Sequence, residues 1–173
     1  MTSSVFDNKN QITPDSGAQG KDDGHCLCED EYAYDITLRL ARELMAKGAT
    51  VHLMSQDAND GIRDGKYLKC DKDEVNFDGS EMSLNQKRRL MQRSRKVNEM
   101  YEQYKAEGIT HQRLLMLHID SRSMRERVDM FFYHYPGSTT GRKMMDEVRG
   151  TVKKKYADYK LQLKESFWLA LDQ

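Results

Sequence analysis

One amphipathic helix between two apolar segments constrains the fold more than any other feature of this chain. The predicted helix covers 30–47, and its apolar side chains recur with the 3.6-residue period of an α-helix. They form one stripe: Ala33, Ile36, Leu40 and Leu44. Gly48 follows the last of them and is typical of the left-handed residue that ends a helix. A short strand end and a glycine-containing loop, beginning near Ile12, precede the helix. The segment 50–54 follows it with the β-branched and apolar content of a buried strand.

The order strand, loop, helix, strand is that of a βαβ unit, in which a crossover helix packs on a parallel sheet. Periodicity predicts four further elements: a helix at 84–107, a strand at 114–120, a strand at 128–135 and a helix at 137–156. The strand at 114–120 is almost continuously apolar, which favours a central strand buried on both faces. We therefore predict an α/β fold of one domain with three layers, a mostly parallel twisted sheet with helices on both faces.

The composition indicates a soluble globular domain and argues against two kinds of partner. Its 173 residues suffice for one domain with a core. The 28 Lys and Arg residues balance 28 Asp and Glu residues, so no net field favours nucleic acid or an anionic membrane. No run of about 18 apolar residues exists, so no membrane span is expected. Residues 1–11 lack the apolar segment of a secretory signal, so we predict a disordered lead-in and a chain that is cytoplasmic until it is released.

The cysteines and the long loop at 57–85 are less informative. The chain has three cysteines, and Cys26 and Cys28 are too close in sequence for an easy bridge, so reduced thiols are expected. The loop at 57–85 is long enough to be an active-site rim or a mobile insertion. It fails as a calcium-binding loop, because Gly61 comes one residue early and Leu68 stands where the twelfth-position ligand should be.

Two side chains are candidates for chemistry because of where they stand in the predicted elements. Glu29 lies at the mouth of the first strand-to-helix loop, and His118 lies at the end of the predicted central strand. Ligands of α/β proteins bind where such strands end, and a carboxylate with an imidazole suits zinc. Two simpler interpretations remain open. In the first, His118 is a hydrogen-bonded histidine of the core. In the second, Glu29 is a first-turn carboxylate that the helix dipole favours.

The order of five short motifs adds a resemblance. The motifs are Asp15-Ser16-Gly17-Ala18-Gln19-Gly20, Glu29 opening a helix that contains Tyr34-Asp35-Ile36-Thr37-Leu38-Arg39, Met54-Ser55-Gln56-Asp57, a helix with Arg93 and Asn98, and Leu117-His118-Ile119-Asp120. In order and spacing they resemble the zinc-dependent N-acetylmuramoyl-L-alanine amidases of the Amidase_3 family, over about 12–157. The resemblance implies a peptidoglycan hydrolase that cleaves the amide between N-acetylmuramic acid and L-alanine with Zn²⁺. The amidase-like catalytic domain is then 12–173, with a truncated or diverged C-terminal end.

The resemblance also implies which residues form the site. Glu29 and His118 correspond to two of the family's metal ligands, whereas Ala18 stands where the third, a histidine, is expected. Because alanine offers no lone pair, zinc binding is expected to be weak or absent unless His25 replaces the missing ligand. Cys26 and Cys28 are conceivable thiolate ligands. The family's general base, a glutamate on a late strand, corresponds to Glu165, for which the alternative is a surface position on a C-terminal helix.

Three functions therefore remain open. The first is a zinc amidase with peptidoglycan as its substrate. The second is a catalytically inactive amidase-like domain that binds cell-wall muropeptides. The third is an unrelated cytosolic α/β domain whose motifs align by chance.

Overall fold

The computed structural model of the chain describes residues 19–119, 130–159 and 163–167. The predicted lead-in at 1–11 and Ala18 lie outside the described residues. The chain forms two compact units, Met1–Ser121 and Arg122–Gln173.

The first unit begins with a hairpin that leads directly into a helix. Strands β1 (Gln19–Asp22) and β2 (His25–Cys28) pair antiparallel, with Gln19 opposite Cys28. The two residues between the strands have positive φ, 49° at Asp23 and 80° at Gly24, as two-residue hairpin turns require. Helix α1 (Glu29–Ala46) follows with no intervening residue. The predicted helix at 30–47 is therefore confirmed to within one residue at each end.

Helix α1 buries only part of its predicted apolar stripe, and it buries carboxylates as well. Glu31 and Asp35 are buried together with Ala33, whereas Ile36 and Leu44 are exposed. Buried carboxylates need partners, and the residues that follow the helix supply them. The helix therefore packs on a polar loop rather than on the face of a sheet.

Gly48 ends α1 with a φ of +85°, as predicted, and this geometry gives a testable consequence. Gly48→Ala should lower the free energy of unfolding by about 1–2 kcal/mol, because an alanine Cβ is strained in the left-handed region. Gly150 is the matched control: it lies inside α3 (Thr139–Lys155), and a Cβ there would meet nothing within 4 Å. Gly150→Ala should raise the free energy of unfolding by about 0.5–1 kcal/mol. Denaturant unfolding followed by circular dichroism measures the free energy of unfolding of both variants. Changes of the same sign would contradict the left-handed conformation assigned to Gly48.

Beyond α1 the predicted strands are largely wrong, whereas the next helix is confirmed. Residues 50–54 form no strand; instead β3 (Ser55–Gln56) pairs antiparallel with β4 (Val75–Asn76). Helix α2 (Gln86–Ala106) begins at the N-cap Asn85, whose side chain accepts a hydrogen bond from the Arg88 N–H at 3.0 Å.

The predicted central strand at 114–120 is also wrong. Residues 111–119 are irregular, with a single bridge residue at Leu117. Leu114 and Met116 are 46% and 55% exposed rather than buried on two faces. The apolar composition of this segment therefore does not reflect a position inside a sheet.

The second unit keeps its predicted strand and helix. Strand β5 (Met130–His134) precedes α3, and Ser138 caps that helix by accepting a hydrogen bond from the Gly141 N–H at 2.9 Å. A 3₁₀ turn, Ala157–Tyr159, follows. Strand β6 (Leu163–Phe167) then pairs parallel with β5, with Glu165 opposite Phe132. The alternative that placed Glu165 on a C-terminal helix is therefore wrong.

The predicted three-layer, mostly parallel sheet with helices on both faces is contradicted. The described residues contain three separate two-stranded sheets, of which two are antiparallel and only β5–β6 is parallel. The physical reason lies in the partners of α1: a crossover helix needs a sheet under its apolar stripe, whereas α1 turns buried carboxylates toward a loop. Among the described residues no helix is long and apolar enough to cross a membrane.

Candidate functional site

The structure brings together Glu29 and His118, which are 89 residues apart in the chain. Glu29 is the first residue of α1 and is only 9% exposed. Its Oε1 lies 3.1 Å from Nδ1 of His118, and the same oxygen accepts a hydrogen bond from the Ile119 N–H at 3.2 Å. The positive end of the helix dipole also favours a carboxylate at this position. The pair is therefore a fixed tertiary contact between α1 and the irregular segment at 111–119.

The geometry of this pair is compatible with two ligands of one zinc ion. Zn–O and Zn–N bonds are about 2.0–2.2 Å long, so two such donors on a tetrahedral zinc lie about 3.3 Å apart. The Oε1–Nδ1 separation of 3.1 Å is close to this value. A zinc site needs at least a third protein ligand, however. Within 19–119, 130–159 and 163–167, the groups of three acidic, His or Cys ligand atoms include neither Glu29 nor His118.

His25 makes a different contact from the one predicted for a replacement ligand. It is exposed on β2 and stacks on the ring of Tyr67, with ring centroids 3.9 Å apart. The Tyr67 hydroxyl in turn donates to Oδ2 of Asp22 at 3.0 Å. These contacts join the hairpin to the loop that follows α1. The role of His25 as a metal ligand stays a prediction.

The expectation of reduced thiols is wrong for two of the three cysteines. Cys28 forms a disulfide with Cys70, 42 residues later, at a Cα–Cα distance of 5.8 Å. Cys26 and Cys28 are neighbours in sequence and do not bridge, whereas the fold brings the distant Cys70 to bridging distance of Cys28. Cys26 remains a free, exposed thiol, with its Sγ 3.8 Å from that of Cys28.

An ion network centred on Arg63 organises the loop after α1, and no pattern in the sequence indicates it. Arg63 Nη1 donates to Oε2 of Glu31 at 2.9 Å and also pairs with Asp60. Its backbone N–H donates to Oδ1 of Asp35 at 2.8 Å. Glu31 is 2% exposed, and its second oxygen accepts from the Asp71 N–H at 3.0 Å. The loop predicted as a rim or a mobile insertion is therefore attached to one face of α1.

Opposing effects set the protonation of these carboxyl groups. Burial raises the pKa of Glu31, although the Asp71 N–H and the Arg63 guanidinium oppose the rise. Burial acts in the same direction on Asp35, but hydrogen bonds from Arg39 and from the Arg63 backbone outweigh it and lower the pKa of that carboxyl. Burial and the neighbouring Asp73 raise the pKa of Asp71. Glu31 and Asp71 are thus the acids for which the fold disfavours the charged form.

Three groups of described side chains have the composition and spacing of candidate metal ligands. They are Cys26 with Cys28 and Cys70, Glu31 with Asp60 and Asp71, and Asp57 with Asp71 and Asp73. In the second group Arg63 already supplies a cation to Glu31 and Asp60. In the third, Oδ1 of Asp57 accepts from the N–H groups of Asn59 and Asp60, as in a local turn. Arg63 and this turn account for Glu31, Asp60 and Asp57, whereas Oδ1 of Asp71 and Oδ1 of Asp73 are buried without a hydrogen-bond partner among the described residues.

The comparisons with known proteins add no relative. No family model, curated protein or solved structure matches this chain. The resemblance to the amidases therefore depends on the motifs alone. Glu165 lies on β6, and its assignment as a general base stays a prediction.

Proposed function

We propose that the chain is a zinc-dependent peptidoglycan amidase that hydrolyses the bond between N-acetylmuramic acid and L-alanine. The observation that supports the proposal is the contact between Glu29 and His118. The motif resemblance selects these two residues as metal ligands from segments 89 residues apart, and their donor atoms lie 3.1 Å from each other. A structural hydrogen bond between a histidine and a first-turn carboxylate gives the same contact, and zinc binding distinguishes the two.

The residues of the chain have separate tasks in this proposal. Zn²⁺, when bound, supplies a Lewis acid that polarises the scissile carbonyl and lowers the pKa of water. Glu29 and His118 would hold the ion. The Ile119 N–H donates a hydrogen bond to Oε1 of Glu29, and this bond restricts the orientation of the carboxylate.

One specific observation favours a second candidate function, an inactive amidase-like domain that binds muropeptides. The resemblance places Ala18, which offers no lone pair, where the family has a ligand histidine. A site with two protein ligands loses much of its affinity for zinc. The domain then keeps a surface for the cell-wall fragment without the metal that cleaves it.

Metal content and hydrolysis, measured on the same sample, distinguish these functions. The purified chain is equilibrated with Zn²⁺, its zinc is quantified by mass spectrometry, and release of the stem peptide from a muropeptide is followed by chromatography. Hydrolysis that depends on zinc at the Glu29–His118 pair supports the amidase. Muropeptide binding without hydrolysis supports the inactive domain. If the chain neither binds nor hydrolyses the muropeptide, both candidate functions are overturned.

Restoring the missing histidine tests the assignment of the site. Ala18→His should strengthen zinc binding by more than about tenfold, since even changes outside the ligand shell alter metal affinity by about 10- to 100-fold. Ala106→His, at the end of α2, is the matched control for adding a histidine, and it should leave the zinc affinity unchanged. Zinc titration against a competing chelator measures the affinity. If Ala18→His and His118→Ala both leave it unchanged, the site is assigned to the wrong residues.

A further inference from the structure

We propose that Cys26, Cys28 and Cys70, when reduced, form a second metal site that takes a thiophilic divalent cation such as Zn²⁺ or Cd²⁺. The three sulfur atoms all lie within 4.8 Å of one another. The site differs from the Glu29–His118 pair in its donors, which are sulfur atoms alone. Such a donor set selects soft cations and rejects Mg²⁺ and Ca²⁺.

The spacing of the sulfur atoms supports metal binding as well as disulfide formation. With Zn–S bonds of about 2.3 Å, two thiolates on a tetrahedral zinc lie about 3.8 Å apart. The Sγ atoms of Cys26 and Cys28 are 3.8 Å apart. Strand β2 explains this distance, because residues i and i+2 of a strand project from the same face. A Cys-x-Cys pair on a strand can therefore supply two ligands to one ion.

Cys70 is held near this pair by contacts that do not depend on the disulfide. On one side of it, the Leu68 N–H donates to the Tyr32 hydroxyl at 3.1 Å. On the other, the Asp71 N–H donates to Oε1 of Glu31 at 3.0 Å. Both acceptors belong to α1. Reduction of the Cys28–Cys70 bond therefore leaves the third sulfur close to the other two.

The oxidation state of the cysteines decides whether their sulfur atoms form the disulfide or bind the metal. A phosphine reduces the Cys28–Cys70 bond with one water molecule: the phosphine takes the water oxygen and becomes a phosphine oxide, and the two protons go to the thiolates of Cys28 and Cys70. The three thiols release their protons when the cation binds. A small-molecule disulfide re-forms the Cys28–Cys70 bond by thiol–disulfide exchange: it accepts two electrons and two protons and leaves as two thiols. The re-formed bond uses two of the three ligands. Metal binding and the disulfide therefore exclude each other.

Cobalt(II) is a suitable probe, because thiolate ligation gives a sulfur-to-metal charge-transfer absorption. The whole chain is reduced with a phosphine under anaerobic conditions and titrated with Co²⁺, with the oxidised chain titrated in parallel. The reduced chain should show the absorption at one Co²⁺ per chain, displaced by Zn²⁺ but not by Mg²⁺. The oxidised chain should not show it.

Cys26→Ser is the decisive variant, because Cys26 is exposed and takes no part in the disulfide. It should weaken Co²⁺ binding to the reduced chain by more than about tenfold, since even substitutions outside the ligand shell cost about 10- to 100-fold. The oxidised variant should keep the circular dichroism spectrum of the parent. His118→Ala is the control and should leave the charge-transfer absorption unchanged. This keeps a failure of the sulfur site distinct from a failure of the amidase site. Absence of the absorption in the reduced parent, or equal affinity in Cys26→Ser, overturns the proposal.

Discussion

His118→Ala should lower the proposed muramoyl-alanine hydrolysis by more than about 100-fold, because the metal that this function requires supplies several kcal/mol of transition-state stabilisation and each 1.36 kcal/mol is tenfold in rate. Glu29→Gln should have an effect of the same order. The amide keeps the shape of the carboxylate but loses its charge, and it is a weaker ligand. Zinc content and kcat/KM on a muropeptide substrate, measured on the same preparation, test both variants. The fall in rate should accompany the loss of zinc.

Two further histidine variants show whether the effect belongs to this pair. His111→Ala changes an exposed residue of the segment that carries His118, and it should leave zinc content and rate unchanged. His25→Ala removes the ring that stacks on Tyr67. If His25→Ala abolishes zinc binding as completely as His118→Ala, His25 is a ligand and the loop rearranges to let it bind. If neither His118→Ala nor Glu29→Gln changes the zinc content, the pair is a structural hydrogen bond.

The helices could be predicted from the sequence because their signals are local. The period of the apolar residues and the position of Gly48 define α1, and they need no knowledge of what packs against it. Strands lack this independence, since a strand exists only when a second segment pairs with it. The apolar run at 114–119 looks the same in sequence whether it is a central strand or an irregular exposed segment. The predicted sheet was wrong for this reason.

The contact between Glu29 and His118 was expected as part of a parallel sheet, yet it occurs without one. The expectation placed both residues at the ends of parallel strands, and that premise is wrong: Glu29 follows the antiparallel strand β2, and His118 lies in an irregular segment. The network of Arg63 and the Cys28–Cys70 bond could not be foreseen in the same way. Each depends on the path of the loop after α1, which brings Cys70 back to a residue 42 positions earlier.

Arg63→Ala should lower the free energy of unfolding by about 3–5 kcal/mol, the usual cost of removing one partner of a buried ion pair. Glu31 is 2% exposed and Arg63 is 19% exposed, so water replaces the lost guanidinium poorly. The matched control is Arg42→Ala. Arg42 pairs with Glu43 on the exposed side of α1, at 3.6 Å, and its loss should cost less than about 1 kcal/mol. Denaturant unfolding followed by circular dichroism measures both variants.

The pH dependence of the Arg63→Ala effect separates a lost charge partner from lost packing. Because burial raises the pKa of Glu31 above its usual 4.5, this group favours the folded state below that value, and its contribution is lost as the pH rises through the folded pKa. Removing Arg63 raises the pKa of Glu31 further, because the carboxylate loses its guanidinium. The deficit of the variant should therefore be largest at neutral pH and should shrink as the pH falls and Glu31 becomes protonated. Adding Glu31→Gln to Arg63→Ala should recover part of the stability at neutral pH, since no charge is then buried. A deficit that is constant from neutral to acid pH would mean that Arg63 stabilises the loop through its aliphatic contacts instead.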